Sequence, residues 1–72
     1  MNERVKLYQV FFETRRYGKY LRVSAIDPIS NTEAVSTGPI TLGEAALKRA
    51  AKMKLEYILT RRKNGTVKNR NL

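Results

Sequence analysis

Apolar residues fall into three short runs separated by turn residues, followed by one longer run at helical spacing. The first run, Val5 to Thr14, is rich in Val, Phe and Tyr and has the length of a strand. Val5, Leu7 and Phe11 point one way, and Tyr8, Val10 and Phe12 the other. Both faces therefore carry large apolar groups, unlike a strand with one side in water. Arg15-Arg16-Tyr17-Gly18-Lys19 reads as the first hairpin loop, with Gly18 supplying a positive φ. Tyr20 to Asp27 is the second strand. Leu21, Val23 and Ala25 form its core face, and Tyr20, Arg22, Ser24 and Ile26 form the other.

Asp27-Pro28-Ile29-Ser30-Asn31 is the strongest turn signal. Asp and Pro suit the first two positions of a type I turn, and Asn31 tolerates the left-handed conformation that closes such a loop. Glu33 to Thr37 is a short third strand, stopped by Gly38-Pro39. Thr41 and Glu44 have capping-box spacing, which predicts a helix from about Leu42 to Arg62. Its apolar stripe is Leu42, Ala46, Ala50, Met53 and Tyr57, widened by Leu47, Ala51 and Ile58. Leu55 and Leu59 fall toward the polar side. Lys48, Arg49, Lys52 and Glu56 form the outer face, with Glu44 and Lys48 spaced for an i,i+4 pair. Arg61, Arg62 and Lys63 suit the negative end of the helix dipole, and Asn64-Gly65 suits its C-cap.

The pattern predicts an α+β fold, a three-stranded antiparallel meander with one C-terminal helix packed on one face (βββα). Residues 1–63 form the single domain and residues 64–72 a flexible basic tail. With 72 residues the core is small, and the absence of Cys removes disulfides as a means of stabilising it. No apolar run reaches the roughly 20 residues of a membrane span, and the first residues lack the apolar core of a signal peptide, so a soluble cytoplasmic protein is expected.

Several of these stretches resemble a family of very small bacterial proteins, mainly alphaproteobacterial, of unknown function. The matching residues are Phe12-Glu13, Ala25-Ile26-Asp27, the turn to Glu33, Gly38-Pro39 and Lys54-Leu55-Glu56-Tyr57, within residues 8–62. Ser30-Asn31 stands where that family has Thr-Gly, a mild departure because Asn takes the same conformation. The resemblance implies the fold and carries no activity. The stretch Leu47–Leu59 also looks like the last helix of a double-stranded-RNA-binding domain. Against this, the first helix of that module is absent, and Leu42-Gly43-Glu44-Ala45 replaces its basic pair.

Charge adds a bias about partners. Residues 1–43 balance at +2 and residues 44–72 at +7, a basic half that favours anionic partners. Arg15, Arg16 and Lys19 at the loop, Lys48, Arg49 and Lys52 on the helix, and Arg61, Arg62 and Lys63 at its end are the candidate nucleic-acid contacts, with Tyr17 and Tyr20 placed to stack bases. A solubilising surface accounts for the same cations. No His, no Cys, no phosphate-loop spacing and six acids, most of them with ordinary structural roles, point away from an enzyme, a metal site, a cofactor or a small-molecule substrate. One helix covers only one face of a sheet. The uncovered face would hold Tyr20 and Ile26, with either Tyr8, Val10 and Phe12 or Val5, Leu7 and Phe11 from the first strand. Tyr8, Val10, Phe12, Tyr20 and Ile26 are the candidate surface for a homodimer.

Overall fold

The computed structural model describes residues 9–63. Strands β1 (Phe11–Tyr17), β2 (Tyr20–Asp27) and β3 (Thr32–Pro39) form an antiparallel sheet in the order β1-β2-β3, and helix α1 (Glu44–Lys63) follows a 3₁₀ turn at Ile40–Leu42. This is the predicted βββα meander. Tyr8, the start of the predicted first strand, the Asn64-Gly65 cap and the tail lie outside the described residues.

The first hairpin is tighter than its sequence suggests. Tyr17 pairs with Tyr20, leaving only Gly18 and Lys19 between the strands. Gly18 has φ 59° while Lys19 has no positive φ, the signature of a type II′ turn with Gly at its first central position. Arg15, Arg16 and Tyr17 therefore belong to β1 and not to a loop. The second turn is as expected. Asn31 sits at φ 61°, and its N–H donates to the Asp27 carbonyl at 2.8 Å.

Register decides the question that the first strand left open. Phe12 pairs with Ala25 and Thr14 with Val23, so they share the helix side with the core face of β2. Phe11 pairs with Ile26 and lies on the open side.

The core lies between β2, β3 and α1: Val23, Ala25 and Ala34 from the sheet, and Leu47, Ala51 and Leu55 from the helix. Val23, Leu47 and Leu55 are the large fully buried side chains, each contributing roughly 1.5–3 kcal/mol by burial. The buried stripe is the i,i+4 row Leu47–Ala51–Leu55: Leu47 and Ala51 belong to the predicted stripe, but Leu55, expected toward the polar side, is fully buried in it. Met53 and Tyr57 are 62% and 61% exposed. The predicted phase was anchored on Leu42, which is in the 3₁₀ turn and outside the helix. Gly43, at φ 94°, then reorients the chain before Glu44. The same turn undoes the capping box. Glu44 is the first helical residue, and its carboxylate accepts the Thr14 hydroxyl at 2.8 Å, away from Thr41. The i,i+4 pair survives, with Lys48 Nζ 3.5 Å from Glu44.

Candidate functional site

The helix covers one side of the sheet, and the other side is built from alternate residues of all three strands. The ladder sets them in rows: Phe11–Ile26–Glu33, Glu13–Ser24–Val35, Arg15–Arg22–Thr37 and Tyr17–Tyr20–Pro39. Of the predicted self-association set, Tyr20 and Ile26 lie here. Val10 and Phe12 do not. Val10 packs against the core, and Phe12 lies under Lys48, whose Nζ is 5.5 Å from its ring centroid. Phe11 takes the place assigned to Phe12, and hydrophobicity alone did not separate two adjacent phenylalanines. The open face is thus mixed, with Glu13, Arg15, Arg22 and Glu33 among its exposed groups.

One end of this face is distinctive. Tyr17 and Tyr20 are direct cross-strand neighbours, 56% and 57% exposed. The next row sets Arg15 opposite Arg22. Like charges in directly opposed positions destabilise a sheet. Among the described residues neither arginine side chain has a hydrogen bond or ion pair to offset this, and the side chain of Lys19 in the adjoining turn has none either. Arg15, Lys19 and both tyrosines are legible as candidates in the sequence, whereas Arg22 is not. Its signal was the Tyr20–Arg22 alternation, which became a cluster only once β1 extended to Tyr17.

The other candidate cations are elsewhere. Arg16 faces the helix side and donates from Nε to the Gly18 carbonyl at 3.0 Å. The helix places Lys48, Arg49 and Lys52 across the sheet from Arg15 and Arg22. Arg61 lies 5.5 Å from the Tyr57 ring centroid and donates to its hydroxyl, and Arg62 donates to Thr32 Oγ1 at 2.6 Å. Lys63 ends the helix. The nine predicted contacts therefore do not form one surface: the sheet divides them.

A family model described as a domain of unknown function, DUF6898, matches residues 7–63. The chain belongs to the DUF6898 family. The match runs from before β1 to the end of α1, so the family unit is the whole βββα fold, and its description assigns no activity. Searches of curated proteins and of solved structures find no significant match.

A second polar group in this DUF6898 domain has a structural role. Asp27, buried at the end of β2, accepts the Ser30 hydroxyl at 2.6 Å and the backbone N–H groups of Ser30 and Ile29. The Ser30 hydroxyl is the main influence lowering its pKa; burial opposes the shift, and the two N–H groups reinforce it. Glu44 is also lowered, first by the Thr14 hydroxyl and then by the charge of Lys48. A carboxylate with a depressed folded pKa stabilises the fold above its unfolded pKa and loses that contribution as pH falls through the folded value. Thermal unfolding followed by circular dichroism should therefore give a midpoint that holds near neutrality and declines below about pH 4. Asp27→Asn should lower the midpoint at pH 7 and flatten that decline. A midpoint that rises on acidification would contradict this account.

Proposed function

We propose that this domain is a non-catalytic binding module that takes single-stranded nucleic acid on its open sheet face. The observation that carries the reading is the exposed Tyr17–Tyr20 pair set beside the unpartnered Arg15–Arg22 pair. Aromatic rings on a flat, solvent-facing sheet stack successive bases, and neighbouring cations hold the intervening phosphates. Phosphate oxygens between Arg15 and Arg22 would also relieve their mutual repulsion. Lys19 extends the positive rim past the tyrosine row. The helix cations are too far round the fold to join the same contact and act as a general attractive field.

Fluorescence anisotropy with labelled single-stranded RNA, single-stranded DNA and duplex, each at two salt concentrations, tests the reading. Single strands should bind better than duplex. With three contacts the log–log salt slope should be about −2, at roughly 0.7 per phosphate. Tyr20→Ala should weaken binding about 5- to 150-fold, the equivalent of roughly 1–3 kcal/mol per stacked base. Arg22→Ala should reduce the salt slope, whereas Arg49→Ala on the helix should change little. Absence of binding, a flat salt response, or a Tyr20→Ala protein that binds like the parent would each refute the proposal.

Self-association through this face has less to rest on. With Val10 and Phe12 on the helix side, the face no longer presents the continuous apolar patch that a homodimer was expected to bury.

A further inference from the structure

The two edges of the sheet are treated differently. On β3, Lys54 crosses from the helix and donates to the Val35 carbonyl at 2.8 Å, and Pro39 ends the strand. A lysine and a proline are standard means of blocking further pairing at an edge. On β1 no described residue occupies the outer backbone. Because the Val35 carbonyl faces outward, ladder alternation turns the backbone groups of Arg22, Ser24 and Ile26 toward β1. Phe11, Glu13 and Arg15 then bond inward, leaving the N–H and C=O groups of Phe12, Thr14 and Arg16 directed out of the sheet.

The side chains along this edge complement themselves. β1 reads Phe-Phe-Glu-Thr-Arg-Arg-Tyr, and Thr14 is its midpoint. We propose that β1 pairs antiparallel with β1 of a second copy across a two-fold axis at Thr14, making one continuous six-stranded sheet. On the open face this register sets Glu13 opposite Arg15 of the second copy and Phe11 opposite Tyr17, each twice. On the helix side it sets Phe12 opposite Arg16, a cation over an aromatic ring, and Thr14 opposite itself. Opposite charges and aromatic pairs are the favourable cross-strand combinations. Sliding the axis to Glu13 or to Arg15 would oppose like charges.

Space permits the arrangement. The body of α1 lies across β2 and β3, and only side chains such as Glu44 and Lys48 reach β1. With strands about 4.8 Å apart, the two helices would run roughly 19 Å apart, about twice the distance of packed helices. Both open faces would lie on the same side of the joined sheet, with Arg22, Lys19, Tyr17 and Tyr20 of each copy still facing solvent. Both readings draw on Arg15, which would sit between Glu13 of the second copy and a phosphate, but the pairing is measured without nucleic acid and is decided separately.

Sedimentation velocity on the nuclease-treated full chain at micromolar concentration tests the pairing. The parent protein should be a dimer. Glu13→Arg and Arg15→Glu should each be monomeric, since each opposes like charges twice. The double variant should recover the dimer, and mixing the two single variants should give a heterodimer. Tyr20→Ala, on the open face away from the edge, should remain dimeric. A monomeric parent protein, which would leave the edge to a strand from some other protein, overturns the proposal. So do single variants that stay dimeric, failure of the double variant or the mixture to reassociate, and a Tyr20→Ala protein that is monomeric, which would move the contact to the sheet face.

Discussion

Leu55→Ala is expected to leave most of the domain unfolded at room temperature. Leu55 is fully buried among Val23, Ala25, Ala34 and Ala51, and alanines cannot move inward to fill the space it leaves. Removing a buried leucine side chain costs about 2–5 kcal/mol, with the upper part of that range applying where the site cannot collapse. A single core in a domain this small rarely supplies more than about 3–5 kcal/mol in total. Urea denaturation monitored by circular dichroism should show the folded baseline largely lost. Met53→Ala should stay within roughly 0.5 kcal/mol of the parent, because Met53 is exposed. The reverse order, with Met53→Ala the more damaging, would mean that the helix presents its other apolar stripe to the sheet.

Gly38→Val should be the second severe change. Gly38 is buried near the end of β3, and a Cβ there would stand 3.0 Å from Leu47 Cδ2 and 3.2 Å from Leu42 Cδ2. Its φ is not positive, so the glycine is required for space and not for backbone conformation. The methyl groups it meets end flexible side chains, so alanine is partly accommodated by a shift of Leu47. Valine adds two more carbons against the same packed residues, where overpacking costs about 1–3 kcal/mol. Denaturation midpoints should fall in the order Gly, Ala, Val. Equal midpoints for all three would mean that the helix entry rides higher on the sheet.

Much of the fold was legible in the sequence where local chemistry leaves one choice. Asp27, Pro28 and Asn31 each suit one position of the same turn, and β2 ends where they begin. The first hairpin was less legible because Arg15 and Arg16 are polar enough for a loop, whereas the strand ends only where Gly18 permits a positive φ. That shift joined Tyr17 and Arg15 to Tyr20 and Arg22, and it moved Phe12 off the open face. The helix phase was misread for a related reason. Leu42 continues the apolar period, and only the backbone at Gly43 shows that the period is broken there. The site was legible by residue type and illegible by grouping, since adjacent arginines in sequence face opposite sides of a strand.

The meander order has a further consequence for how the chain acquires its structure. Each strand pairs with its neighbour in sequence through a tight turn, so the sheet closes short loops and forms mainly local contacts. Its apolar side is complete at Pro39, but the cover arrives only with Glu44–Lys63. A chain elongating from its N-terminal end therefore carries Val23, Ala25 and Ala34 exposed until the helix follows. That interval is when an uncovered sheet is most prone to wrong partners, and the short connection from Pro39 to Glu44 keeps it brief.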